Sequence, residues 1–146
     1  MPRFELEAWQ FWAILSAAFA ALTAIFAKVG VANVNSDFAT LFRTAVILPT
    51  LGLLVVATGQ VPALTSISGR TYLFLTLSAL ATGASWLCYF RALQIGNASQ
   101  VAPVDKLSIV LVAVFGVIFL GERLGGRGWL GVLLITAGVL LIAWRR

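Results

Sequence analysis

The chain has 146 residues, of which 61% are hydrophobic and 10% charged, with a net charge of +5, a single cysteine and no histidine. A water-soluble domain of this size carries about a quarter charged residues, so too little polar material is present to face water, and the expected solvent is lipid. With Cys88 alone and no imidazole, an intrachain disulfide is excluded, a metal site and the usual nucleophile–base pairs are nearly so, and neither a cofactor nor an enzyme is expected. The Lys and Arg residues sit singly or in pairs near the ends of apolar runs, where headgroups take them. They form no basic stripe, so no nucleic-acid partner is expected.

The opening MPRFELEAWQFW mixes Arg3 with Glu5 and Glu7 ahead of a long apolar run, so it reads as a retained first span rather than a cleaved signal. A helix crosses the hydrocarbon with about 20 apolar residues, and five runs meet or approach that length: 8–32, 38–58, 72–93, 98–120 and 129–144. The fold class is thus an all-α integral membrane protein with five transmembrane helices in a single domain over residues 1–146. The last run is short, so Arg127, Arg145 and Arg146 must reach outward to the headgroups. Trp9, Trp12, Tyr72, Trp129 and Trp144 lie near run ends, as an aromatic belt requires. The connections are brief. Ser36 or Asp37 is the expected cap of the second helix, residues 59–70 form the longest loop, and Gly96-Asn97 and Gly125-Gly126 separate the later spans.

An odd number of spans puts the termini on opposite faces. One face carries Arg3, Arg70, Arg123 and Arg127, and the other Lys28, Arg43, Arg91, Arg145 and Arg146, with Lys106 if it is counted. That near balance leaves two readings: a single orientation set by the N-terminus or a partner, or copies inserted both ways and paired antiparallel.

Polar residues inside the spans are the candidate sites. In the third span Ser78, Thr82, Ser85 and Tyr89 recur at helical spacing on one face, with Trp86 beside them. They either back-bond to their own helix carbonyls or line a cavity that offers hydrogen bonds and an aromatic surface to a solute. Lys28, Arg43, Arg91, Asp105 and Lys106 fall toward one membrane side, and Asp105 is the one acid among them. Lys28 is read as snorkelling to the headgroups, with substrate contact as the alternative, and Asp105 as a partner for Arg43, Arg91 or Lys28. Pro103 has two readings. It either opens the fourth helix, with Asp105 near the positive helix end, or it loosens a helix that starts near Ser99 and frees backbone groups beside Asp105 for gating or proton coupling. Glu122 stands at a helix C-terminus, the unfavourable end for a carboxylate, and is expected to fix the turn that follows. Gly131 and Gly138, seven apart, suit a flat packing face.

The stretch Tyr89-Phe-Arg-Ala-Leu93, then Gly96, Val101-Ala-Pro103 and Leu120-Gly-Glu-Arg-Leu124, followed by the Gly131–Gly138 helix, resembles the EamA-type repeat of the drug/metabolite transporter superfamily. The chain is similar to that family's five-span single-repeat bacterial and archaeal members. The resemblance implies a multi-pass transporter of the prokaryotic inner or plasma membrane, with the substrate cavity built by the first four spans and the last span outside it. It implies inverted pairing of two repeats, here an antiparallel homodimer working by alternating access on small metabolites or drug-like solutes. The cation excess on one side tilts the expected solute toward anions or zwitterions. Two alternatives stay open: a non-transporting assembly subunit of a heteromeric complex, and a lipid-linked sugar flippase. In both, membrane lipid is a partner.

Overall fold

A computed structural model describes residues 8–62 and 67–144. Arg3, Glu5, Glu7, Arg145, Arg146 and part of the Ser/Thr cluster in the longest loop lie outside the described residues.

Among the described residues the secondary structure is helical throughout: α1 (Ala8–Gly30), α2 (Ser36–Ala57), α3 (Gly69–Ile95), α4 (Ala98–Asp105), α5 (Ser108–Phe119) and α6 (Gly126–Ala143). Five stretches are long and apolar enough to cross a membrane, with α4 and α5 together forming the fourth, Ala98–Phe119. The last crossing has 18 residues because its helix begins at Gly126, three residues before the expected start. At 1.5 Å per residue it spans about 27 Å. Large apolar side chains stay exposed along every crossing, as lipid-facing helices require.

The chain packs as two units, and the division falls inside α1. The unit of residues 27–95 joins the end of α1 to α2 and α3. Its buried residues are Val31, Ser36, Thr40, Phe90 and Leu93, all at the end where α2 starts and α3 stops. Polar bonds tie this end together. Lys28 Nζ donates to the Leu93 carbonyl at 2.6 Å, and Gln94 Nε2 donates to the Val34 carbonyl at 3.0 Å. The last carbonyls of a helix have no intrahelical donor and carry its negative pole, so a lysine there satisfies an orphan acceptor and the dipole at once. Lys28 is therefore turned onto α3 rather than extended as a lone snorkelling cation.

The cap of α2 lies one residue ahead of the expected pair. Asn35 Oδ1 accepts from the Asp37 and Phe38 N–H groups at 2.8 and 3.2 Å, while the buried Ser36 hydroxyl donates to the Asp37 carboxylate at 3.3 Å. Beyond the cap, Thr40, Thr44 and Thr50 return their hydroxyls to carbonyls four residues back. Thr50 does so beside Pro49, which α2 absorbs within its length.

In the other unit α6 packs against both α4 and α5. The fourth crossing starts at Ala98 behind Asn97, which puts Pro103 inside the helix rather than in its first turn. Pro103 has no N–H for the Ser99 carbonyl, and the winding then tightens. Lys106 and Leu107 N–H groups bond the Pro103 and Val104 carbonyls, three residues back, both at 3.0 Å. Ile109 and Val110 N–H groups also bond three residues back, and the four-residue spacing returns with Leu111 bonding the Leu107 carbonyl at 3.4 Å. Of the two readings of Pro103, the structure has the interrupted helix.

The far end of α5 closes on Gly121, whose φ of +67° lies in the left-handed region. The Gly116 carbonyl accepts from the Leu120 and Glu122 N–H groups, both at 3.1 Å. Glu122 folds its carboxylate back over Gly116, and a Cβ placed on Gly116 would stand 2.7 Å from Glu122 Oε2. The turn at Glu122 is thus built on the left-handed Gly121 and on the backbone carbonyl of Gly116.

These contacts separate the two glycines. Gly121→Ala should destabilise the chain by about 1–2 kcal/mol through left-handed strain. Gly116→Ala should be nearly neutral, because the added methyl displaces only the movable end of a glutamate. Chemical unfolding in detergent micelles measures both. Lys28→Met removes a charged donor from a helix end and should lower stability by about 1.5–3 kcal/mol, with Lys28→Arg recovering most of it. The same titration decides, and an unchanged midpoint for Lys28→Met would show that the bond contributes nothing.

Candidate functional site

The unit of residues 27–95 holds a cation stacked on aromatic rings within the membrane-spanning segments. The Arg43 guanidinium carbon lies 4.2 Å from the Trp86 ring centroid and 5.6 Å from that of Phe90. Helix register explains the meeting. Trp86 and Phe90 are one turn apart on α3, and Arg43 comes from α2, the helix packed against it. Arg43 lies seven residues inside the start of α2, at a depth of about 10 Å. Phe90 and Trp86 lie five and nine residues inside the end of α3, about 8 and 14 Å deep. The guanidinium is nearer the deeper ring. A snorkelling arginine turns the opposite way, toward the headgroups.

Placing arginine at the centre of a bilayer costs about 2.5–3.5 kcal/mol on insertion scales. A cation–π contact contributes about 0.5–2 kcal/mol, the larger value when desolvated. The rings therefore offset part of the cost and hold the guanidinium in place. Among the described residues Arg43 makes no ion pair, and its ring contacts are with Trp86 and Phe90. An arginine has five N–H donors along its edge, and a guanidinium that stacks on a ring keeps that edge open.

The other candidate residues sort around this stack. α3 runs unbroken through Ser78, Thr82, Ser85 and Tyr89, so the four share one face. Thr82 Oγ1 bonds the Ser78 carbonyl at 2.9 Å, which satisfies that hydroxyl within its own helix. Tyr89 packs edge-on against Phe90 at 6.4 Å between centroids. Arg91 lies in the outer turns of α3, is exposed, and contacts Gln94 Oε1 at 3.5 Å. Phe90 was not among the expected site residues, although its spacing of four from Trp86 marks the shared face.

In the other unit Asp105 closes α4, and Lys106 begins the interruption. The two form an ion pair at 3.2 Å, half exposed. Such a pair between neighbours contributes about 0–1 kcal/mol, so it leaves the carboxylate available to other partners. A cleft of about 410 Å³ opens where α4 starts and α6 ends, with Ser99, Gln100, Leu141 and Ile142 in its lining. Ser99 is also the residue whose carbonyl lacks a donor from Pro103. Gly131 and Gly138 face open space, leaving the small-residue face of α6 without a covering side chain. Among the described residues no cluster of His, Cys, Asp and Glu could hold a metal ion.

Five apolar crossings with charged groups set inside them define a multi-pass membrane protein with polar sites within the bilayer. Residues 7–144 match the model of the EamA-like transporter family, and the chain belongs to that family. It is 67% identical over 137 residues to a Sinorhizobium sp. protein named "Uncharacterized transporter in cobO 3'region", covering 94% of this chain and 97% of the relative. It is 34% identical over 74 residues to a Yersinia pestis protein named "Probable 4-amino-4-deoxy-L-arabinose-phosphoundecaprenol flippase subunit ArnE", covering 51% of this chain and 65% of the relative. A Yersinia pseudotuberculosis protein of the same name matches to the same extent. No solved structure matches the chain.

Proposed function

We propose that the chain is a secondary transporter of small metabolites or drug-like solutes in the prokaryotic cell membrane, working by alternating access as an antiparallel homodimer. The observation that carries this reading is that a chain of the EamA-like transporter family presents one set of five crossings with almost balanced basic residues on its two sides. An odd-span unit inserted both ways supplies the inverted halves that alternating access uses. The open glycine face of α6 suits close helix packing between copies. The stack on Arg43 gives each copy a polar contact below the headgroups, and the interrupted fourth crossing gives it a backbone joint beside Asp105. Asp105 is the proposed proton carrier of the cycle.

A second reading is favoured by one observation, the similarity to proteins named as flippase subunits. In that reading the chain moves a lipid-linked sugar, or serves as an assembly subunit beside a different chain in a single orientation.

Topology decides between them. In a Cys88→Ser background a new cysteine at the C-terminus is labelled in intact cells with a membrane-impermeant thiol reagent, before and after permeabilisation. Partial labelling that permeabilisation completes is expected of the antiparallel homodimer. Labelling that is complete or absent before permeabilisation would overturn it in favour of a single-orientation subunit. The proton role is tested in proteoliposomes, where Asp105→Asn should abolish pH-driven uptake while leaving the folded protein intact by size exclusion. Uptake of undiminished rate and pH dependence in that variant would remove Asp105 from coupling.

A further inference from the structure

The surroundings of Arg43 narrow the class of solute. The guanidinium carbon lies over the Trp86 ring and close to Phe90, while its N–H donors are met by no carboxylate among the described residues. The nearest acid in its own helix, Asp37, stands six residues earlier. Six residues rotate a helix by about 240°, so Asp37 points away from Arg43 and serves the first turn of α2 instead. Lys28 and Arg91, the other candidate cations of this unit, have donors engaged with the Leu93 carbonyl and Gln94. Among these three cations Arg43 joins depth, two ring contacts and an unmatched charge.

A planar guanidinium fixed on its face presents parallel N–H groups spaced to take the two oxygens of a carboxylate or phosphate. Low-dielectric surroundings strengthen that pairing and disfavour a cation in the same place. We infer that Arg43, held by Trp86 and Phe90, is the anion-recognition residue of the pathway, taking a carboxylate or phosphate group of the transported molecule by its donor edge. This rests on the transporter reading above. The oxyanion has two possible sources, a water-soluble solute and the headgroup of a lipid, and both present the same oxygens to the guanidinium.

The test uses the full chain in nanodiscs of zwitterionic lipid. Thermal unfolding and tryptophan emission are followed while acetate, succinate, inorganic phosphate or glycerol 3-phosphate is titrated in, with chloride at matched ionic strength as baseline. Glycerol and tetramethylammonium chloride serve as neutral and cationic controls. Saturable stabilisation by at least one oxyanion above the chloride baseline is expected, with no response to either control. Arg43→Lys keeps the charge but loses the planar fork and should weaken the apparent affinity about tenfold or more, and Arg43→Gln should abolish it. Trp86→Phe, which keeps a ring under the guanidinium, should retain the stabilisation and lose most of the emission change. It also serves as the informative variant if substitutions at Arg43 prevent folding.

A parallel titration of the nanodiscs with phosphatidylglycerol separates the sources. A response to that lipid without one to the soluble anions assigns the edge to a headgroup, and the converse assigns it to a solute. No saturable response to any oxyanion, or a response unchanged in Arg43→Lys, overturns the inference. Failure of this inference is distinguishable from failure of the transporter reading. Uptake of a neutral or cationic solute without oxyanion binding removes Arg43 and leaves transport standing. Binding through Arg43 in a chain that moves no solute removes transport and leaves the site.

Discussion

Lipid offers no hydrogen bonds, and most of this structure answers that constraint. Each polar group carried into the crossings has to find its partner within the chain. The threonines of α2 spend their hydroxyls on carbonyls one turn back, as do Thr82 on α3 and Thr136 on α6. The start of α2 is closed by Asn35 and the end of α3 by Lys28, so helix ends that water would serve in a soluble protein are served by side chains. Arg43 meets the same demand by another route, with ring faces in place of oxygen acceptors. Its donor edge is what local satisfaction leaves over, which makes it chemically informative.

The number and place of the crossings were legible because apolar run length is a direct signature of hydrocarbon thickness. Ends were less so. Ser36, Asp37 and Asn35 are all competent caps by composition, and the choice fell to Asn35 because Ser36 is drawn into the buried junction of its unit. Lys28 illustrates a different limit. A lysine near a span end is described equally well by snorkelling and by capping, and only the position of the end of α3 distinguishes them. The same holds for Arg43 and Trp86, 43 residues apart in sequence, whose meeting depends on the register between two helices. The hydroxyl periodicity of α3 was readable, but not that Thr82 turns its oxygen back onto its own helix.

Motif residues divided by function in a way the sequence alone could not. In Leu120-Gly-Glu-Arg-Leu124 the glycine provides the left-handed corner, while the glutamate N–H bonds the carbonyl of Gly116, a residue outside the motif, and its carboxylate lies over that glycine. Pro103 and Asp105 fall on the short helix preceding the interruption, so the proline acts through its missing N–H and the aspartate through its place at the helix end. One stretch thus joins a backbone effect and a charge effect without requiring contact between them.

The odd number of crossings has a genetic consequence. If two copies of this set of five crossings were joined end to end, the second would begin on the face opposite the one where the first began, and every one of its helices would run upside down relative to its counterpart. No linker helix would be needed to turn it over, as would be required for a unit with four or six crossings. Because neither face holds a strong excess of lysine and arginine, the reversed half would need only a few altered basic residues to settle in place. A duplication followed by those few changes would then fix within one polypeptide an arrangement that copies of a single chain reach by inserting both ways.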